Sequence, residues 1–187
     1  GQDVFLSEGK FELGRNFANK LWNASRFILM NLKEDEVKAD LCVFFKGAKL
    51  SLPDKWILSR FYSTLSYVTE CLDEYKFNEA ANSIYEFIWH EFCDWYIEIA
   101  KVTISEKSSQ VILYKVLEKS LRMLHPIMPF VTDEIWRKLP REKTGADSIM
   151  IESWPHVQKE MISKDAESKM KELIEIIVAI RNIRSVW

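Results

Sequence analysis

At 187 residues, 48% hydrophobic and 13% aromatic, the chain can bury the core of one domain, and with five Gly and five Pro it is too poor in turn formers for an all-β or linker-rich protein. A net charge of −2 excludes a wholesale polyanion binder, so any nucleic-acid site must be a local patch. No apolar run reaches the length of a membrane span, no signal peptide opens the chain, and Cys42, Cys71 and Cys93 are scattered without a CxxC, as expected of reduced thiols in a cytoplasmic protein.

The missing initiator Met and the stop at Trp187, in mid-pattern, point to a piece of a longer protein. Gly1 to Gly9 reads as an extended lead-in, with Ser7 an N-cap for a helix that runs to Leu32. Wound at 3.6 residues per turn, Leu13, Phe17, Leu21, Ala24, Ile28 and Leu32 fall in an arc of roughly 100° that should face a core. The opposite arc carries Arg15, Asn16, Asn19, Lys20, Asn23, Arg26 and Phe27. From Lys10 to Lys33, five basic residues face Glu12 alone, the patch that the overall charge demands. Cations, carboxamides and one ring on the side expected to face water suit single-stranded nucleic acid: phosphates, base edges and a stacking plate. A merely solvated helix face has the same composition, and the two readings stand side by side.

Lys33 to Pro53 breaks the period at Asp40, Gly47 and Pro53 and is expected as a loop, with Leu41 to Phe45 (LCVFF) a short apolar tether. The second helix starts near Pro53 and ends near Tyr75, burying Leu58, Phe61, Leu65, Val68 and Leu72. Asn78 is expected to cap a third helix running to about Val102. Its seam is Ile84, Ile88, Phe92, Trp95 and Ile99, widened by Tyr85, Phe87, Trp89 and Tyr96, so it belongs at the centre. A fourth helix opens near Ser108 with Val111, Tyr114, Leu117, Leu121 and Leu124 inward. Pro126 and Pro129 break it, and a shorter helix resumes through Phe130, Ile135, Trp136 and Leu139. Ser148 to His156 is expected to be extended, a strand or strap, and the last helix runs from about Ser163. Long helices joined by short loops give an all-α antiparallel bundle with one short extended strap.

His90, Glu91, Cys93 and Asp94 cluster on the third helix but lack the i, i+4 His pair and the second ligand group of a zinc site. Asp94, set among aromatics, instead requires a partner, for which Arg122 is the candidate. His125 reads as a helix-end hydrogen bonder and His156 as exposed. Ser168 to Lys171 superficially resembles a KMSKS loop but sits inside a helical period.

GQD (Gly1 to Asp3), GRNFANKLWNASRFILMNL (Gly14 to Leu32), EFCDWYIEIAK (Glu91 to Lys101), LHPIMPFVTDEIW (Leu124 to Trp136) and AIRNIRSVW (Ala179 to Trp187) together, and in this order, resemble the anticodon-binding domain of the valyl-tRNA synthetases, class I aminoacyl-tRNA synthetases. The resemblance implies a helical bundle over residues 1–160 and a final helix over 161–187 that leads into a junction region and coiled coil. It implies a parent enzyme that joins valine to its tRNA with ATP and magnesium. The ATP-binding and editing elements of that enzyme precede the GQD word, so this segment should hold no cofactor and show no catalysis. Its expected partners are the valine tRNA anticodon stem-loop and the rest of the synthetase chain, and it should be a monomer. By the same resemblance Lys20, Asn23 and Phe27 serve the anticodon loop, whose shared letters are A then C. Arg15, Asn16, Asn19 and Arg26 serve backbone or packing roles, and Arg181 and Arg184 serve tRNA phosphate or pair with the bundle's acids. The isoleucyl enzymes share the fold, and a helical protein-interaction module without RNA binding remains the alternative of another class.

Overall fold

The computed structural model describes residues 7–33, 50–140 and 148–185. The GQD word, Cys42, the Leu41 to Phe45 tether, and Trp187 lie outside these. Helix α1 (Glu8–Asn31) follows Ser7, whose extended backbone opens the helix without a side-chain cap bond. Helix α2 (Leu52–Asp73) begins with a complete capping box: Ser51 Oγ accepts from the Asp54 amide, and Asp54 returns an acceptor to the Ser51 amide at 3.1 Å. Its other end closes in a Schellman turn, Lys76 N to Cys71 O at 2.7 Å and Tyr75 N to Leu72 O at 3.1 Å. That turn places Tyr75 at φ 60°, a conformation usually left to glycine.

The third helix differs from the one expected. It starts at Phe77, after Lys76 rather than a capping Asn78, and has three parts: α3 (Phe77–Glu86), a π-helical stretch (Phe87–Tyr96) and α4 (Ile97–Ala100). Ile97 donates to Phe92 O, the i→i+5 bond of the wider winding. The wider turn shifts the buried seam. Phe87, Ile88, Phe92, Cys93, Tyr96, Ile97 and Ala100 enter the core, while Trp89, Trp95 and Ile99 are only half-buried on its flanks. A 3.6 period misassigned Trp95 because it assumed a uniform helix.

Helix α5 (Lys107–Leu124) buries Val111, Tyr114, Leu117, Leu121 and Leu124 as its spacing requires. His125 at its end meets Thr132 Oγ1 at 2.7 Å, a hydrogen-bonding role, and His156 is exposed. Helix α6 (Pro129–Trp136) buries Ile135 and Trp136 but leaves Phe130 at 90% exposure. The strap is extended between two 3-10 turns, Ile149–Ile151 and Lys159–Met161, and no β-strand occurs among the described residues. Trp154 Nε1 fastens it to Thr69 Oγ1 on α2 at 2.9 Å. Helix α7 (Lys164–Ser185) packs through Ala166 and Met170, and Glu167 accepts from Ser59 of α2 at 2.6 Å.

Contacts set the directions of the helices. Along α2 against the third helix they run Asp54 to Tyr96, Arg60 to Glu91 and Phe61 to Phe87, so these two are antiparallel. Along α1 they run Phe17 to Tyr85, Lys20 to Asp94 and Phe27 to Lys101, so α1 lies parallel to the third helix. Two up-down steps in the chain order produce that parallel pair.

Candidate nucleic-acid interface

Helix α1 is seated by Phe17, Leu21, Ser25 and Ile28. Ser25 tolerates burial because its hydroxyl donates to Leu21 O at 2.7 Å within the helix. Leu13, expected on this stripe, is 55% exposed, and Ala24 and Leu32 are half-buried. The Phe17 ring lies 5.2 Å from Tyr85 and 6.2 Å from Trp89, and Tyr85 stacks on Trp89 at 5.5 Å. These rings pin the first half of α1 to the π-helical stretch.

The outward face carries Arg15, Asn16, Asn19, Asn23 and Arg26, all exposed. Arg15 pairs loosely with Glu12 at 3.4 Å. Three carboxamides open to solvent and flanked by two guanidinium groups can donate to and accept from base edges and meet phosphate.

Lys20 differs from the expected free cation. Its ammonium sits 4.0 Å from the centroid of the Trp89 ring and pairs with Asp94. The Lys20 side chain is only 23% exposed. Asp94 therefore takes Lys20 as its partner and not Arg122, which binds Glu118 at 3.0 Å and the Ser153 carbonyl at 2.9 Å. Burial pushes the Glu118 carboxyl up, and the Arg122 charge only partly opposes it. His90 completes the neighbourhood of Asp94, with Nδ1 at 3.5 Å from it and Nε2 at 3.8 Å from Glu86. Beside them the Cys93 thiol is pushed up to about 12, chiefly by burial, and is inert as a nucleophile or ligand.

Phe27 also departs from expectation. It is half-buried against the core rather than turned fully to water, and Lys101 lies over it at 5.4 Å from the ring centroid. Lys101 is tied to Glu98 at 2.6 Å. The structure thus sets Lys20 and Phe27 against the third helix, with Asn23 exposed between them along α1. Arg181 lies elsewhere, its guanidinium 5.1 Å from the Trp95 ring, and Arg184 is exposed.

Sequence reasoning missed Trp89 and Lys101. Trp89 had a signal, since it follows Tyr85 by four residues, but it was assigned wholly to the core. Lys101 had none: only the fold brings it to Phe27.

A cleft of about 440 Å³ adjoins the neighbourhood of Asp94 at His90 and is lined further by Trp56, Arg60, Glu91, Trp95 and Glu167, with Arg60 paired to both acids. Among the described residues no group of three or more His, Cys, Asp or Glu is placed to hold a metal. Gly9 and Gly14, the described glycines, lie inside α1 and form no phosphate loop.

The family model described as the anticodon-binding domain of tRNA ligase matches residues 54–186. The chain is 48% identical over 188 residues to a valine--tRNA ligase of Fervidobacterium nodosum, covering 99% of this chain and 21% of that protein. Against the valine--tRNA ligase of Bacillus anthracis the identity is 44% over 191 residues, again 99% of this chain and 21% of the relative. The chain therefore spans about a fifth of the length of the curated relatives it matches. Among solved structures, a chain of the LeuRS–tRNA–LeuAMS ternary complex from Agrobacterium radiobacter K84 superposes with TM-score 0.57 at 16% identity. It covers 86% of this chain and 18% of that one, a likeness of fold.

Proposed function

The chain belongs to the anticodon-binding domains of tRNA ligases, and from that premise we propose that it reads the anticodon loop of valine tRNA for a longer valine–tRNA ligase. The observation that carries this reading is the α1 edge: Asn23 stands exposed between Lys20 and the partly open ring of Phe27. A carboxamide suits adenine and cytosine edges, and a ring beside it suits a stacked base. Arg15, Asn16, Asn19 and Arg26 form the outer margin that meets the backbone, and Arg181 and Arg184 serve phosphate away from the loop.

The ligation itself, with valine, ATP and magnesium, belongs to the rest of the longer chain, and this segment alone is inactive and binds no cofactor. The segment acts as a monomer in the cytoplasm, where the buried thiols Cys71 and Cys93 stay reduced. No helix among the described residues is long and apolar enough to cross a membrane. Residues 1–160 form the reading bundle. The final helix, in the segment 161–187, packs on α2 through Ala166 and Met170 and then leads out of the bundle, in keeping with the exposure of Ile176, Ile180 and Ile183.

The test is a titration with valine and isoleucine tRNA at two salt concentrations, using this chain and the longer enzyme. Valine tRNA should bind more tightly, with a loss on raising salt that reports the phosphates contacted. Preference for isoleucine tRNA would move the chain to the isoleucyl enzymes. No affinity for either tRNA at low salt would favour a protein-interaction module.

A further inference from the structure

Lys20 has the position of a phosphate anchor without the freedom of one. Three groups restrain it. Asp94 pairs with its ammonium, the Trp89 ring lies 4.0 Å below it, and Trp89 is itself held by Tyr85 and Phe17. A lysine free in solvent has a long flexible stem and meets any phosphate within reach. One fixed between a carboxylate and a ring has lost most of that freedom, and the carboxylate offsets its charge. It keeps three N–H donors, of which Asp94 takes one and leaves others for acceptors at a defined place. That is the character of a base-edge donor.

We infer that Asp94 is a positioning residue of the anticodon site: with Trp89 it holds Lys20 as a directed hydrogen-bond donor to a base and keeps its charge from indiscriminate phosphate contact. The inference rests on the anticodon reading above. It assigns Lys20 to recognition and gives a task to an exposed acid beside an anion-binding face, where a negative charge would otherwise only weaken binding. His90 also faces Asp94, and Glu86 approaches the other nitrogen of the His90 ring. Neither contacts Lys20 among the described residues, so the restraint on the ammonium comes from Asp94 and Trp89.

The experiment uses the longer enzyme with two anticodon stem-loops, the valine sequence and one altered at the middle base, each titrated across salt. Asp94→Asn keeps the size of the side chain and removes its charge, and Asp94 is a surface residue, so folding should hold. With the charge gone, the salt slope should steepen by about 0.7 as one more cation engages phosphate. The altered loop should bind as well as before or better, and discrimination should narrow about fivefold, near the lower end of what one base contact supplies. Asp94→Glu, which keeps the charge, should restore the wild-type slope. In a Lys20→Ala background, Asp94→Asn should narrow discrimination no further, since a residue acting through Lys20 has no effect without it.

If Asp94→Asn leaves slope and discrimination unchanged while Lys20→Ala weakens cognate binding, the inference fails and the anticodon reading stands. If Asp94→Asn still narrows discrimination without Lys20, the inference fails because Asp94 acts by another route. If Lys20→Ala, Asn23→Ala and Phe27→Leu all bind both loops as wild type does, the anticodon reading itself fails and takes the inference with it.

Discussion

Arg60 of α2 grips Glu91 of the π-helical stretch through two parallel hydrogen bonds, Nε to Oε2 at 2.8 Å and Nη2 to Oε1 at 2.9 Å. The hydrogen bonding to Glu91 raises the Arg60 pKa further. The pair is partly shielded, at 33% and 23% side-chain exposure, so it should exceed an ordinary surface pair. Arg60→Lys keeps the charge but loses the fork and should cost about 1 kcal/mol. Arg60→Ala and Glu91→Ala together should cost less than the sum of the two, which denaturant midpoints of the four-member cycle will check.

The π winding sorts the aromatic residues of the third helix by burial. Phe92→Ala, inside the core, should cost about 3–5 kcal/mol. Trp95→Ala, on the half-buried flank beneath Arg181, should cost clearly less. Equal losses of stability in chemical denaturation would place Trp95 at the centre after all.

Tyr75 offers a stabilising change. At φ 60° its backbone is strained, and among the described residues its ring contact is an edge-on approach to the exposed Phe77 at 6.2 Å. Tyr75→Gly should raise stability by roughly 1 kcal/mol, the left-handed penalty less the extra entropy glycine loses. A lowered melting temperature would show that the edge-on contact outweighs the strain.

Asn23 and Phe27 should separate binding from folding. Asn23→Ala, fully on the surface, should leave stability within about 0.5 kcal/mol of wild type. In the longer enzyme it should cost about 1–3 kcal/mol against the valine anticodon. Phe27→Leu should weaken loop binding and also lower stability by about 1 kcal/mol, because the ring is half-buried. Calorimetry and binding on the same samples resolve the two. Lost stability with full binding would make Phe27 a packing residue only.

Glu167 gives the bundle an acid limb. Burial raises its carboxyl pKa, but hydrogen bonds from Lys164 and Ser59 and the charges of Lys164 and Arg60 outweigh that and hold it below its ordinary 4.5. A carboxyl whose pKa is lowered by folding contributes stability that is in place above 4.5 and is lost as pH falls through the folded value. Glu167→Gln should therefore lower the melting temperature at neutral pH. Its curve should converge with wild type in acid. Parallel curves down to about pH 3 would exclude this linkage.

Most of the bundle was legible because its helices are long and regular. Leu58, Phe61, Leu65 and Val68 on α2, and Val111, Tyr114, Leu117, Leu121 and Leu124 on α5, are buried as a 3.6 period dictates. The third helix defeated that period, since nothing in FIWHEFCDWY announces a wider turn. Ser25 was unexpected in the core because its hydroxyl is satisfied by its own helix, a bond that composition does not reveal. At the candidate site the exposed carboxamides were legible from the helix arc alone. The states of Lys20 and Phe27 were not, because Trp89, Asp94 and Lys101 reach them only through the tertiary fold.

The parallel placement of α1 has a consequence for synthesis. Lys20 finds Asp94 only 74 residues further along, and the Lys33 amide finds Gln110 at 77 residues' separation. Closing such separations is slow compared with zipping the α2–α3 hairpin. On a ribosome adding about 5–20 residues per second, α1 would emerge and then wait on the order of ten seconds for its seat to be made. During that interval its apolar edge, Phe17, Leu21 and Ile28, is open to chaperones and to other nascent chains. The helix that carries the candidate reading surface thus precedes its own seat in synthesis, and its docking waits on the third helix and α5.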